Sequence, residues 1–464
     1  MLSVENNSNF MDQRSKIAIL GYGVEGRSMF NYLLKHNYPN ITICDQNVNL
    51  KDEMPQGVSV RLGPDHLKDL TDFDVIFRTP GIRYHSPEIQ AAVLKGVEVT
   101  SVIKFFIDQC PCPVIGVSGT KGKGTTTTLI YKILKQAGKD AYIGGNIGNA
   151  PTDFLDDLTP ESFAVLELSC CQLQDMEKSP RYAVLLNTTS DHLDYYNDNS
   201  EYMAAKEHLL SHQTANSVAV LNKDYEYSKY YAPLTKGKVF YISKWDSVDR
   251  GAYVKDNSIW YADENERQEI IEISKIKLIG SHNLENVMPA TVISRALNIP
   301  VAHIREVIET FSGLPHRLEL VRELKGIRFY NDSFSTNPGT SMAAVDSFDE
   351  PTVLIAGGSD KGLSYDEWAE KILTKESLKT VVLIGVTADK MESSLEDAEK
   401  KLGTAIGSPT KILRRESFED AILTAYSEAE PNGVVVLSPA AASFDMFKDY
   451  KDRGEKFKKF VQAL

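Results

Sequence analysis

The run PVIGVSGTKGKGTTTTLIYKILKQAG, Pro113 to Gly138, allows few architectures. An apolar stretch passes through glycines straight into helical periodicity, which reads as a strand, a tight turn and a helix packed on that strand. The N–H groups of the turn and the helix dipole then converge on one point, where an anion is favoured. A second instance lies near the N-terminus, where KIAILGYG runs through Gly21, Gly23 and Gly26 into RSMFNYLLKHN. Strands joined by such crossover helices lie parallel. The fold class read from this pattern is α/β with mainly parallel sheets.

The alternation continues to the C-terminus. ITICD, DVIFRTPG and EVTS read as strands of a first unit, which ends near SVIKFFIDQCPCP, where Pro111 and Pro113 break the pattern. FAVLELS, YAVLLNTT and a helix containing EYMAAKEHLLSH follow the longer glycine loop, and HNLENVMPATVISRAL returns to that core. Val218 to Ile279, rich in Tyr, Lys and Asp with short β-like runs, reads as an irregular insert. RFYND, TVLIAGG, TVVLIGV and GVVVLSP supply strands of a last unit. A chain of 464 residues exceeds one ordinary core. We expect three domains, over residues 1–106, 107–312 and 313–464, the first and last Rossmann-like and the central one of P-loop type.

A net charge of −13 argues against a general nucleic-acid binder. No apolar run reaches the ~18 residues of a membrane span, and the polar start MLSVENNSNFMDQRSK is not a signal peptide. The five cysteines show neither paired CxxC spacing nor scaffold density. A cytoplasmic monomer is the expectation.

Gly21, Gly23 and Gly26, with Asp45 ending the next strand, match a dinucleotide fingerprint, although nucleotide sugars use the same geometry. In the longer loop Lys123 stands where a P-loop lysine reaches phosphates. The spacing is shorter than the usual P-loop, and Gly124 replaces the usual magnesium-binding hydroxyl residue. Glu167, at a strand end, suits magnesium as a hard oxygen ligand. On local sequence alone, His192 between Asp191 and Asp194 reads as a loop histidine, Lys206 as a solvated helix lysine and Arg317 as a surface charge.

The segment Gly119-Thr120-Lys121-Gly122-Lys123-Gly124-Thr125 resembles the short P-loop of the Mur ligases and their folylpolyglutamate synthetase relatives. GGNIG, LELSCCQL, NTTSDHLD, YMAAKEHLL, GSHNLENVMPA, FSGLPHRLE, YNDSFSTNPGT and LSPAAASFDMFKDYKDRGEKF follow in the family's order. GYGVEG, TPGI and SPAAASFD are similar to the glutamate-adding branch. The resemblance covers roughly residues 15 to 464 and implies an ATP-dependent acid–amino-acid ligase of peptidoglycan precursor synthesis. Its substrate would be UDP-N-acetylmuramoyl-L-alanine, its reaction would run through an acyl phosphate, and D-glutamate would be added. ATP and two Mg2+ ions are the implied cofactors, with no nucleic acid or membrane partner.

Residue by residue, the resemblance implies that Gly119 to Thr125, Asn283, Asn286, Arg317 and Asp332 bind ATP. Gly21, Gly23, Gly26, Asp45, Gln46, Thr79, Gly81, Asn146, Ser169 and Gln172 would hold the UDP substrate. Thr336, Lys361, Ser443 and Tyr450 would hold the amino acid. Lys123, Asn146, His192 and Lys206 would be catalytic. Thr125, Glu167, His192 and a carbamylated Lys206 would ligate metal. Three residues depart from the family pattern. Gly124 leaves Thr125 as the first hydroxyl after the lysine, and Ser190 stands where a glutamate precedes the Asp-His pair. Phe334 takes the place of a lysine that helps hold glutamate, so L-glutamate or another acidic amino acid stays open beside D-glutamate. A Mur-like protein without catalysis is the remaining alternative.

Overall fold

The computed structural model describes residues 11–55, 57–188, 199–403 and 410–464. The chain divides into two compact units. One holds the residues up to Lys275 together with Leu284–Glu309, and the other holds Ile276–Asn283 and Thr310–Leu464. The architecture is α/β with mainly parallel sheets.

The first unit contains two sheets. Strands β1 (Ile17–Leu20), β2 (Ile41–Asp45), β3 (Ser59–Leu62), β4 (Val75–Arg78) and β5 (Glu98–Ser101) are all parallel, in the order β3-β2-β1-β4-β5. The second sheet comprises β6 (Val114–Ser118), β7 (Ala141–Gly145), β8 (Phe163–Glu167), β9 (Tyr182–Leu185), β10 (Val218–Asn222), β11 (Lys238–Ser243), β12 (Gly251–Lys255), β13 (Ser258–Ala262) and β14 (Arg267–Glu272). Their order is β14-β13-β12-β11-β10-β9-β6-β8-β7, antiparallel only at β12-β13 and β13-β14.

Val218 to Ile279 is thus not an irregular insert. Five strands, β10 to β14, extend the central sheet. The turn between β12 and β13 is a two-residue hairpin in which Asp256 (φ 49°) and Asn257 (φ 58°) are left-handed. That is the turn whose twist suits a hairpin, and Asx residues tolerate it.

The helix Val102–Gln109 joins the two sheets of this unit. Ser101 caps it, its hydroxyl accepting from Lys104 N–H at 3.1 Å. Successive phenylalanines then face opposite ways: Phe105 lies edge-on to Phe77 of β4, and Phe106 edge-on to Phe154 before β8, each at 5.6 Å. One hydrophobic core therefore runs through both sheets.

The second unit carries β15 (Glu319–Leu324), β16 (Ile327–Asn331), β17 (Thr352–Gly357), β18 (Leu378–Ile384), β19 (Lys411–Arg414) and β20 (Val434–Leu437), ordered β15-β16-β20-β17-β18-β19. Only β15 is antiparallel to its neighbour. The chain runs outward from β17 to β19 and then returns to β20 on the other side of β17, so the topology switches between β17 and β20. Crevices at such points, outside the carboxyl ends of parallel strands, are where α/β folds bind ligands. Among the described residues, no helix is long and apolar enough to cross a membrane.

Candidate functional site

In the central sheet the candidate residues leave the carboxyl ends of four neighbouring strands. The glycine loop follows β6, Asn146 follows β7, Glu167 ends β8 and Asn187 follows β9. Gly122 sits at φ 84° as the cap of the helix Lys123–Gln136, and a Cβ there would run into Asn286 Oδ1. Gly119 sits at φ 147°, and its Cβ would meet Leu186 Cβ at 2.7 Å. Neither position admits a side chain. Asn187 fixes the loop from outside, its carbonyl accepting from Thr120 N–H at 2.7 Å and its Oδ1 from Lys121 N–H at 3.1 Å.

Lys123 Nζ folds back over this cradle and donates to the carbonyls of Gly119 (3.0 Å) and Thr120 (3.2 Å). Ser118 Oγ, buried where β6 meets the loop, has no hydrogen-bond partner among the described residues. A turn that excludes side chains at Gly119 and Gly122, a helix N-terminus and a half-buried ammonium form an anion cradle, and a polyphosphate fits it.

Thr125 is buried in the first helical turn, and Thr126 Oγ1 reaches Asn286 Oδ1 at 3.3 Å. Glu167 is buried and accepts from Asn146 Nδ2 at 2.9 Å, while Asn146 N–H donates to the Glu167 carbonyl at 2.9 Å. Lys206 lies on the helix Asn199–Glu207, buried, with Nζ 4.6 Å above the Tyr202 ring. The Tyr202 hydroxyl in turn bonds Thr120 Oγ1 at 2.9 Å, which brings Lys206 to the phosphate loop through one ring. His192 and Ser190 lie outside the described residues.

In the first sheet the corresponding residues again leave adjacent strands, β2, β1 and β4. Gly21 (φ 88°) lies against Thr79, and a Cβ on Gly26 would strike the Gly21 carbonyl. Asp45 accepts from Tyr22 N–H at 2.7 Å and from Asn47 N–H at 2.8 Å, so it ties the glycine loop to the end of β2. Gln46, next in the chain, and Gly81, after β4, are exposed.

Ser169 and Gln172 form a reciprocal capping box. The free amide end of Gln172 donates to Glu25 Oε1, within the GYGVEG loop. Beside it, the fully buried Arg78 pairs with Asp175 at 3.1 Å and donates to the carbonyls of Ile82 (2.9 Å) and Cys171 (3.1 Å). Ser101 Oγ donates to Asp175 at 3.0 Å. This buried polar clasp joins the first sheet to the central one.

Burial pushes the Glu25 carboxyl up to about 7, against the opposing pull of Gln172 and Arg78. A carboxyl raised on folding stabilises the fold most below its unfolded value near 4.5, and that stability is lost as pH rises to 7. Wild type is therefore expected to lose about 3 kcal/mol relative to Glu25→Gln between pH 4.5 and 7.5. Urea unfolding of both proteins at the two pH values reads the difference, and parallel pH profiles would contradict it.

In the second unit the candidates follow β16, β20 and β17, which stand side by side. Asp332 leaves β16 buried and accepts from Ser438 Oγ (2.7 Å) and Leu318 N–H (3.2 Å), with burial raising its carboxyl to about 6. Arg317 lies between two left-handed residues, His316 (φ 64°) and Leu318 (φ 46°), and its guanidinium stacks 3.7 Å above the Phe334 ring. Phe334 also meets Tyr450 edge-on at 5.2 Å. Ser443, after β20, is buried, and exposed Lys361 follows β17 across the switch point. Ser359 N–H bonds the Ala442 carbonyl there at 2.9 Å. Asn283 belongs to this unit and bonds the Ile279 carbonyl at 2.7 Å, whereas Asn286 belongs to the other.

Three consecutive stretches match sequence models of known domains. Residues 15–101 match the Mur ligase MurD-like N-terminal domain, 117–294 the Mur ligase middle domain, and 316–441 the Mur ligase glutamate ligase domain. A UDP-N-acetylmuramoylalanine–D-glutamate ligase of Acetivibrio thermocellus is 40% identical over 459 residues, 97% of each chain. The chain belongs to the Mur ligase family. The ligase of the same name from Ruminiclostridium cellulolyticum is 37% identical, again over 97% of both chains. Two crystal structures share the fold at 18% identity. One is the UDP-N-acetylmuramate–alanine ligase MurC of Thermotoga maritima, with TM-score 0.59, covering 97% of this chain and 100% of that one. The other is MurF of the same organism in complex with ADP, with TM-score 0.57, covering 98% and 97%.

Seen as a Mur ligase, the chain holds side chains that sequence reading did not single out. Arg453, fully buried, donates to Ser333 Oγ and the Ser333 carbonyl, each at 2.9 Å, and to the carbonyls of Ala441 and Ala442. It thus holds together the two loops that carry Phe334 and Ser443. His316 accepts from Asn331 Nδ2 at 2.9 Å, and its carbonyl accepts from Phe334 N–H at 3.0 Å. The only sequence signal for either is its place within FSGLPHRLE and LSPAAASFDMFKDYKDRGEKF.

Proposed function

We propose that this Mur ligase adds D-glutamate to UDP-N-acetylmuramoyl-L-alanine at the expense of ATP, in peptidoglycan precursor synthesis. The 40% identity to a UDP-N-acetylmuramoylalanine–D-glutamate ligase over 97% of both chains carries the reading. The loop Gly119–Gly122, with no room for a side chain at either glycine, supports its ATP half.

In this reading the loop amides and Lys123 cradle the ATP phosphates, and Asn286 stands at the nucleotide side. The alanyl carboxylate of the substrate attacks the γ-phosphorus, giving an acyl phosphate and ADP. The amino group of glutamate then attacks the acyl carbon and phosphate leaves. Lys123 and Asn146 oppose the negative charge that develops on the oxygens in both steps. Glu167, Thr125, His192 and a carbamylated Lys206 are the residues that would hold Mg2+, which when bound neutralises phosphate charge. Gly21, Gly23, Gly26, Asp45 and Thr79 receive the UDP end, with Gln46, Gly81, Ser169 and Gln172 beside them. Arg317 grips phosphate, Asp332 and Asn283 serve the nucleotide, and Thr336, Lys361, Ser443 and Tyr450 receive the amino acid. We read the protein as a cytoplasmic monomer, its domains spanning 1–106, 107–312 and 313–464.

Phe334 makes amino-acid choice the point to test. Its side chain is uncharged, so it offers no ion pair to a glutamate carboxylate, and its ring is covered by Arg317. A missing charge-assisted contact costs about 1.5–3 kcal/mol, enough to change preference. Phosphate release is measured with ATP, Mg2+ and UDP-N-acetylmuramoyl-L-alanine against D-glutamate, L-glutamate, L-lysine, diaminopimelate and glycine. Turnover with D-glutamate alone is expected. Preference for another amino acid would overturn the specificity, and silence with all of them would overturn the ligase reading.

A further inference from the structure

The segment Cys110-Pro111-Cys112-Pro113 lies between the helix Val102–Gln109 and β6, the strand that delivers the phosphate loop. Its two cysteines have no part in the ligase chemistry. Their sulfurs stand 3.5 Å apart. Cys110 is partly exposed, and Cys112 is buried in the core shared by the two sheets. All five cysteines of the chain are thiols.

We propose that Cys110 and Cys112 form a redox-active dithiol that reacts with peroxides and closes to an intramolecular disulfide. Proline between them makes the geometry persistent, because it fixes φ and limits the ways the two side chains can part. Closing the bond requires the sulfurs to approach from 3.5 Å to about 2.05 Å. Cys110 can make that approach from the helix end, while Cys112 is held from the far side, where the Pro113 carbonyl accepts from Ala164 N–H at 3.2 Å.

The pair also divides its labour. The two thiols share a hydrogen bond in which either can donate; it holds the Cys110 thiol below its ordinary value and, together with burial, raises Cys112. The accessible sulfur is thus the more nucleophilic one, and the buried one keeps its proton until it resolves the intermediate. In the first step the Cys110 thiolate attacks a peroxide oxygen. An S–O bond forms, the O–O bond breaks, and the released hydroxide takes a proton to become water. In the second step Cys112 sulfur attacks Cys110 sulfur, the S–O bond breaks, and hydroxide leaves with the Cys112 proton as a second water. Two thiols are oxidised by two electrons and one peroxide is reduced. A dithiol reductant reverses the change. Elsewhere, burial raises the Cys44 thiol to about 11, which leaves it unreactive.

The test uses the full chain, reduced and then treated with hydrogen peroxide before alkylation and peptide mass analysis. The peptide carrying both cysteines is expected to lose two hydrogens, at least about 10-fold faster than Cys44, Cys170 or Cys171 is oxidised. A dithiol reductant should restore both thiols. In Cys112→Ser, a sulfenic-acid trap should label Cys110, and in Cys110→Ser neither product should form. Two alkylated thiols after peroxide, a sulfinic acid on Cys110 of the wild type, or earlier oxidation of Cys171 would each overturn the proposal. Wild-type peptide mass alone decides it if a variant fails to fold. None of these readouts depends on ligase activity.

Discussion

Lys123→Ala is expected to lower ATP-dependent phosphate release by about 10²–10³-fold while leaving thermal stability close to wild type. The two halves of this result have separate causes. The ammonium lies inside the loop and, among the described residues, donates only to the carbonyls of Gly119 and Thr120. Few fold-stabilising contacts are lost with it. In the reacting complex the same charge meets phosphate oxygens as their charge redistributes, and removing a single such donor commonly costs 10²–10³ in rate. Phosphate release at saturating substrates, with a melting curve beside it, reads both halves. Full activity in the variant would place ATP elsewhere.

The second large effect is on stability. Arg78→Ala or Asp175→Ala alone is expected to destabilise the first unit by about 3–5 kcal/mol, because each leaves a buried charge without its partner. Arg78 is fully buried and Asp175 nearly so, and Ser101 cannot replace a lost guanidinium. Replacing both by apolar residues of similar size should cost much less than the sum of the single changes, because the desolvation penalty disappears with the charges. Denaturant unfolding of the two single variants and the double variant measures the coupling. Additive losses would mean that the pair is not the buried unit described.

The phosphate loop was legible in the sequence for a backbone reason. At Gly119 and Gly122 a side chain has no room, and a glycine pair after an apolar strand announces that constraint. The strands β1, β6 and β17 were legible for a related reason, since fully buried parallel strands are short apolar runs with sharp ends. β12 to β14 show in the sequence only as short β-like runs, because GAYVK, SIWYA and RQEIIE each alternate too weakly to announce a sheet. The Asp256-Asn257 pair, which takes the left-handed turn, is the strongest local signal for the hairpin. Arg78 and Arg453 were beyond sequence reading. An isolated arginine most often lies in solvent, and their burial arises only when distant segments close over them. Phe334 was recognised as a departure, but its stacking under Arg317 needed coordinates.

The central claim, amide formation through an acyl phosphate, is tested most directly by isotope transfer. UDP-N-acetylmuramoyl-L-alanine is labelled with ¹⁸O in both oxygens of its alanyl carboxylate and turned over with ATP and D-glutamate. The account predicts that each phosphate released carries one labelled oxygen, with one D-glutamyl amide formed per phosphate. Unlabelled phosphate, or phosphate released without amide, would contradict it.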